Sequence, residues 1–244
     1  MRAAALGLIQ GIAEVVPVSS SAQLTLLPWL VGAEPAGDRT TLAAGLHAGS
    51  CAGIAWSLRS ELPDRRTTGL VALSSVPAAL AGLLAGEVVE RRLGRPGPTA
   101  GLLALAGLAL WAADHRPEDV AAVGAREATV AGLAQVLALA PGVSRSGATL
   151  TALRLLRVDA ATASRFSILM SLPITAGAAG LTLLRNRHAP AGELAVGIPV
   201  AAVTSALAAR SLLRPGVRPA RAAAVYRLGL AAAVAVRLHR NGNR

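Results

Sequence analysis

The sequence predicts an all-α polytopic membrane protein with about six transmembrane helices, two re-entrant helix-loop segments and an inverted internal repeat. Of its 244 residues, 53% are hydrophobic and 15% are charged, whereas about 25% are charged in a typical soluble domain. Long apolar blocks recur along the chain, and two proline-containing stretches repeat each other. We therefore expect a single integral membrane domain over residues 1–244, with repeat halves of about 1–98 and 99–244.

Six apolar blocks approach or reach the length of about 20 residues that a spanning helix needs. They cover residues 42–58, 69–86, 99–113, 160–184, 192–212 and 220–238. The arginines between these blocks do not alternate clearly from one loop to the next, so charge leaves the orientation of the spans open. We expect about six full spans from this pattern.

The repeat joins residues 7–22 to residues 132–147 at a constant offset of 125 residues. Both stretches begin Gly-Leu-x-Gln and contain Val-Ser-x-Ser, and in each an apolar helical run reaches a proline, Pro17 or Pro141, before a hydroxyl-rich break. Paired broken helices in corresponding positions of two halves indicate a binding site near the bilayer midplane.

A weaker similarity, which we call the Ser-x-Pro echo, relates Ser75-Val76-Pro77 to Ser171-Leu172-Pro173. Each broken stretch is thus followed by its own Ser-x-Pro span, and an odd number of crossings between the copies would invert the halves. The N-terminus also resembles a signal peptide, with a cleavage-like sequence near Ala22. Glu14 interrupts that apolar run, and the same pattern recurs at residues 132–147, which favours the membrane-embedded interpretation.

Composition excludes several function classes. The net charge is +11, but only 2% of the residues are aromatic, so the chain has few rings on which nucleic-acid bases could stack. Its basic residues are all arginines, and those in short loops would lie well against anionic lipid headgroups. The single cysteine, Cys51, excludes an internal disulfide and a cysteine-based metal site.

Two ionisable residues in the broken stretches are candidates for chemistry. Glu14 and Arg145 lie in sequence that is apolar enough to be buried in a membrane. A charged side chain at the centre of a membrane helix costs about 2.5–3.5 kcal/mol on insertion scales. One interpretation is a structural ion pair across the repeat interface. The other is that both residues face a polar cavity and share an anionic ligand.

That ligand is predicted to be a phosphate. Arginine offers a planar fork to phosphoryl oxygens, and the helix breaks expose further donors. Gln10 and Glu14 are four residues apart on one helix face, where they could hold Mg²⁺ or Ca²⁺. Ser20 and Arg145 occupy equivalent positions of the repeat, so a nucleophile and a phosphate-binding cation would meet at the pseudo-twofold axis. The remaining candidate phosphate ligands are Ser19, Ser21, Gln23, Ser144, Ser146 and Thr149.

Three motifs resemble those of the undecaprenyl-diphosphate phosphatases, the bacitracin-resistance membrane enzymes. They are Gln10-Gly-Ile-Ala-Glu-Val-Val-Pro-Val-Ser-Ser-Ser21, Pro141-Gly-Val-Ser-Arg-Ser-Gly-Ala-Thr149, and Ser164-Arg-Phe-Ser167 with Pro173. The resemblance implies a multi-pass enzyme of the bacterial inner membrane, often dimeric, that removes the terminal phosphate of a polyprenyl diphosphate carrier used in cell-wall synthesis. It also implies that Ser20 is the nucleophile, that Arg145 binds phosphate, and that Gln10 and Glu14 form the acidic motif.

One departure from the family concerns proton transfer. Family members commonly read Ser-Ser-x-Gly-His, whereas this chain reads Ser19-Ser-Ser-Ala-Gln23, and an amide is no general base. Glu14 takes the serine proton, or His47 substitutes from the next span, or the activity is weakened. The alternative functions are a lipid-carrier or anion transporter with the same midplane cavity, and a catalytically impaired homologue.

Overall fold

The computed structural model describes residues 2–32, 39–60, 63–185 and 191–242. The described residues form ten α-helices and one turn of 3-10 helix at Leu137–Leu139. The helices are α1 (Arg2–Val15), α2 (Ser20–Leu30), α3 (Arg39–Leu58), α4 (Arg65–Leu93), α5 (Pro96–Asp114), α6 (Ala125–Val136), α7 (Arg145–Leu155), α8 (Ala160–Arg185), α9 (Ala191–Leu212) and α10 (Pro219–Gly242).

Four of the described helices, α4, α5, α9 and α10, are long and apolar enough to cross a membrane. Large apolar side chains on these helices face outward, as Leu84 and Leu105 do with 84% and 66% of their surface exposed. Outward-facing leucines are favourable in lipid, since lipid tails are as apolar as leucine. The chain is therefore an all-helical, multi-pass membrane protein. Each of the six predicted apolar blocks lies within one helix. Four blocks lie in α4, α5, α9 and α10, and the other two lie in α3 and α8.

The order of the helices differs from the predicted division into halves. Residue 98 lies inside α5, so a boundary at 98/99 would divide a helix. Two short helices followed by three long ones occur twice, first as α1–α5 and then as α6–α10. If these two runs of helices are aligned, α4 is matched with α9, and the prolines inside these two helices are Pro77 and Pro199. The Ser-x-Pro echo between Pro77 and Pro173 therefore does not follow the helix order.

The segment that resembles a signal peptide belongs to the core. Ala22 and Leu26 of α2 are fully buried, and they pack with Leu103 of α5 and Val234 of α10. Cleavage near Ala22 would remove one side of this cluster. The structure thus supports the interpretation of residues 2–30 as an integral, broken helix.

Glycines let α1 and α3 approach α9 closely. On α3, Gly45, Gly49 and Gly53 are spaced by four residues and so share one face. A Cβ atom on Gly53 would lie 2.7 Å from the carbonyl carbon of Ala202. Gly7 on α1 also lies close to α9, since its Cβ would lie 2.6 Å from the Gly197 carbonyl oxygen. Small residues at such interfaces bring helix backbones together in membranes.

We expect the Gly53→Ala substitution to destabilise the protein by about 1–3 kcal/mol, because the new methyl group would collide with backbone rather than with a movable side chain. Gly101→Ala in α5 is the matched control, since a Cβ there would have no neighbour within 4 Å. Melting temperatures in one detergent would compare the two variants. Equal melting of Gly53→Ala and Gly101→Ala would show that the α3–α9 contact is not tight.

Candidate active site

The two helix breaks have the same local geometry. Ser19 and Ser144 both have φ of 72°, a conformation that costs a non-glycine residue of the order of 1–3 kcal/mol. Each is the N-cap of the following helix: Ser19 Oγ accepts from the Ala22 N–H at 3.4 Å, and Ser144 Oγ accepts from the Gly147 N–H at 3.1 Å. The breaks therefore start α2 and α7 in equivalent ways.

A cavity of about 160 Å³ lies between the two breaks. First-turn residues of both α2 and α7 line it, so the positive ends of two helix dipoles meet there. Such an arrangement favours an anion. The predicted site residues that line the cavity are Glu14, Ser19, Ser20, Ser21, His47, Ser144, Arg145 and Ser146.

Glu14 and Arg145 form an ion pair at the centre of this lining. Arg145 Nη2 lies 3.0 Å from Glu14 Oε1 and 2.9 Å from the Glu14 carbonyl oxygen, and Nη1 donates to the Ser167 carbonyl at 2.8 Å. Thr175 and Gln10 donate to the two carboxylate oxygens at 3.1 Å and 2.9 Å. The ion-pair interpretation is therefore compatible with the cavity interpretation, because both charged residues also line the cavity.

His47 lies against the same carboxylate. Its Nε2 is 3.4 Å from Glu14 Oε2, and its Nδ1 is 2.7 Å from the Ala43 carbonyl. A carbonyl can only accept, so Nδ1 carries a proton and Nε2 faces the carboxylate. The imidazole and the carboxylate therefore lie next to each other on the cavity wall.

Ser20 differs from the other serines of the cavity. Ser19 bonds to Ser21, and Ser144 bonds to Ser146, each with 3.2 Å between the hydroxyl oxygens. The Ser20 hydroxyl has no hydrogen-bond partner in the part of the chain that the structure describes. It is the cavity hydroxyl that is free to approach a ligand.

Three predicted site residues lie outside the lining, namely Gln10, Gln23 and Thr149. Gln10 contacts the site through Glu14. Gln23 Nε2 donates to the Val18 carbonyl at 3.0 Å, and its Oε1 accepts from the Tyr226 hydroxyl at 2.6 Å. The Thr149 hydroxyl lies 2.7 Å from Ser167 Oγ. The structure thus places Gln23 and Thr149 behind the cavity wall, where their polar atoms are already bonded.

Sequence reasoning missed three residues at the site, and it named Ser167 only as the end of the third motif. Thr175 and Ser167 contact the ion pair from α8, and the position of Thr175 in the apolar block gave no distinguishing signal. Tyr226 and Arg227 contact the two breaks from α10. Arg227 had a usable signal, since a charged residue inside a spanning block is as costly as Glu14 or Arg145.

The site offers few ligands of its own to a divalent cation. Among the described residues no group of three or more His, Cys, Asp or Glu side chains is placed to hold a metal. Glu14 supplies one carboxylate, and Gln10 Oε1 is a buried oxygen without a hydrogen-bond partner among the described residues. Because Mg²⁺ is often held by one or two carboxylates together with substrate phosphates, these residues fit a cation that arrives with a phosphorylated ligand.

A second, larger cavity adjoins the first. It has a volume of about 390 Å³ and shares Ser21, His47 and Ala178 with the polar cavity. Much of its wall is apolar. The apolar lining residues include Leu6, Leu24, Pro28, Leu42 and Leu46. It extends to Arg2 and Gly94, at the start of α1 and just beyond the end of α4. The polar cavity therefore adjoins a largely apolar cavity whose lining reaches the start of α1 and the residue after α4.

Comparison with known proteins assigns the family. A family model described as "Bacitracin resistance protein BacA" matches residues 3–233. The chain belongs to this family. Three of its relatives are named "Undecaprenyl-diphosphatase". The relative from Gemmatimonas aurantiaca is 37% identical over 87% of this chain and 88% of its own length. The relatives from Pelobacter propionicus and Geobacter sulfurreducens are 40% and 39% identical, and each match covers 88% of this chain and 88% of the relative. The resemblance predicted from the BacA-type motifs is confirmed.

Proposed function

We propose that this BacA-family protein hydrolyses undecaprenyl diphosphate to undecaprenyl phosphate and inorganic phosphate, and so recycles the lipid carrier of cell-wall synthesis in the bacterial inner membrane. Its relatives with that name match most of the chain. The observation that carries the proposal is the free Ser20 hydroxyl in a cavity shared with Arg145 and the starts of α2 and α7. A nucleophile beside a phosphate-binding fork suits phosphoryl transfer.

We also propose the finer architecture of two inverted halves with six spans. The corresponding breaks of α1–α2 and α6–α7 would be re-entrant, and α3–α5 and α8–α10 would be the spans. Three crossings between the two broken segments would invert the second half relative to the first. The matched φ angles of Ser19 and Ser144 support this correspondence.

The prenyl chain is proposed to occupy the larger, apolar cavity. That cavity meets the polar one at Ser21, His47 and Ala178. A diphosphate at the helix breaks would then have its lipid tail among Leu6, Leu42 and their neighbours. Such a tail can pass from the bilayer into this cavity without a large desolvation cost, because lipid tails are as apolar as the leucines that line it.

In the proposed reaction, Ser20 Oγ attacks the terminal phosphorus while the bond from that phosphorus to the bridging oxygen breaks. Undecaprenyl phosphate leaves with the bonding electrons, and water then hydrolyses the phosphoserine to inorganic phosphate. The leaving group is a phosphate monoester with a second pKa of about 6, so it needs no general acid at neutral pH. Arg145 and the N–H groups of the first turns of α2 and α7 stabilise the phosphoryl oxygens.

The proton of Ser20 passes to the adjacent Glu14 and His47, which line the same cavity. His47 Nδ1 is held by the Ala43 carbonyl, so a proton accepted at Nε2 would give an imidazolium facing the Glu14 carboxylate. The Glu14 carboxylate would stabilise the positive charge of this imidazolium. Gln10 and Glu14 would hold Mg²⁺ or Ca²⁺ together with substrate oxygens, and the cation would supply further neutralisation of the diphosphate.

The test is phosphate release from undecaprenyl diphosphate by the detergent-purified protein, with added Mg²⁺, with added Ca²⁺ and with a chelator. We expect release with the divalent cation and little release without it, because the protein donates only two oxygen ligands and the charge on the diphosphate is large. Equal rates with and without the chelator would remove the metal from the proposal. A folded protein that binds the lipid and releases no phosphate under any condition would favour the carrier or the impaired homologue.

A further inference from the structure

Helix α10 contacts both helix breaks through two consecutive residues. The Tyr226 hydroxyl donates to Gln23 Oε1 at 2.6 Å, and Gln23 Nε2 donates to the Val18 carbonyl at 3.0 Å. Arg227 Nη2 donates to the Val143 carbonyl at 2.5 Å. Val18 and Val143 are equivalent positions of the repeat, each one residue before the serine with φ of 72°. The same carbonyl is therefore held in both breaks, by different side chains.

These carbonyls need a partner because the breaks leave them outside regular helical bonding. A polar group that is shielded from water and lacks a hydrogen-bond partner destabilises the fold. The peptide that contains the Val18 carbonyl leads directly into Ser19 and Ser20. Whatever holds that carbonyl also limits where the Ser20 hydroxyl can point.

We propose that Gln23 is a positioning residue, which together with Tyr226 fixes the Val18 carbonyl and through it the Ser20 hydroxyl. Gln23 is 3% exposed and does not line the polar cavity, so it contacts neither the phosphate nor the reacting atoms. Its side-chain amide accepts one hydrogen bond at Oε1 and donates one from Nε2. Neutral imidazole also offers one donor and one acceptor, so histidine at this position would serve the same bonds without accepting the serine proton.

The proposal rests on the proposed phosphatase function, so the first measurement is phosphate release by the wild-type protein. With that activity in hand, kcat, KM and the pH profile of kcat are compared for Gln23→Ala, Gln23→His and Tyr226→Phe. We expect kcat of Gln23→Ala to fall by about 10- to 100-fold, as for misplacement of a reacting group, with KM close to wild type. Tyr226→Phe should fall in the same direction, because Gln23 loses the bond that orients its amide.

Gln23→His separates positioning from proton transfer. We expect it to restore most of kcat and to leave the pH profile where the wild type has it. A new ionisation near pH 6.5 in its profile, together with a rate above wild type, would show that this position can act as a base and would overturn the proposal. Unchanged kcat in Gln23→Ala would overturn it as well.

Misfolding is controlled by the melting temperature and by binding of undecaprenyl diphosphate, and Gly101→Ala in α5 is the control variant. A Gln23→Ala protein that binds substrate as well as wild type but turns it over slowly supports the proposal. A variant that loses binding and kcat together contradicts it. Absence of phosphate release from the wild type would instead refute the proposed function, so the two failures are distinguishable.

Discussion

Ser20→Ala protein should release phosphate from undecaprenyl diphosphate at least about 10⁴-fold more slowly than wild type, as for loss of an enzyme's nucleophile. The fold should persist, since the Ser20 hydroxyl bonds to no other described residue. Ser57→Ala in α3 is the matched control, because its hydroxyl bonds to the Ile54 carbonyl of the same helix and does not line either cavity. Its loss costs about 0.5–1.5 kcal/mol. Initial rates at saturating substrate would measure both variants.

Trapping the intermediate gives the same prediction a second readout. Brief incubation of wild type with substrate, followed by acid quenching and peptide mass spectrometry, should find phosphate on the peptide that contains Ser20. Turnover at the wild-type rate in Ser20→Ala, with no phosphopeptide in wild type, would contradict covalent catalysis. Direct attack by water on the terminal phosphorus would then replace it.

Arg145→Ala should lose activity as completely as Ser20→Ala and, unlike it, should also lose stability. The guanidinium holds Glu14 at 3.0 Å and bonds to two backbone carbonyls of other segments. Removal of one partner from a buried ion pair costs about 3–5 kcal/mol, since the remaining charge is left uncompensated. Arg145→Lys should keep more stability than activity, because lysine retains the charge but not the planar fork.

A double variant separates the structural role of the ion pair from its catalytic role. Glu14→Gln combined with Arg145→Met leaves no buried charge at either position, so its melting temperature should recover relative to Arg145→Ala. Phosphate release should remain absent. Recovery of activity together with stability would show that the pair is purely structural and that another cation binds the phosphate.

The polar cavity was largely predictable from sequence, because a charged residue in an apolar membrane segment is costly and therefore indicates a functional site. Glu14 and Arg145 were found by this signal and the serines by the repeat, and the structure brings them to one cavity. His47 was found less directly, through the absence of the motif histidine. Its contact with Glu14 depends on how closely α3 packs beside α1, which local sequence does not reveal.

Residues behind the cavity were harder to predict. Thr175 is an ordinary hydroxyl on an apolar helix, and only the packing of α8 brings it to Glu14. Gln23 was assigned to phosphate binding because of its place in the motif, yet its side chain turns toward Tyr226, 203 residues away in sequence. The division into halves was predicted from a three-residue echo, whereas the helix order depends on the whole chain.

The separation of Glu14 and Arg145 has a consequence for biogenesis. These residues are 131 positions apart, and the site also includes Thr175, which lies farther along the chain. Contacts between such distant residues form only after the intervening chain has been ordered. During insertion into the membrane, the first half therefore carries its serine without its arginine. In the proposed mechanism, hydrolytic capacity would arise only after α7 and α8 have been inserted, and a partly inserted chain would not consume the carrier lipid.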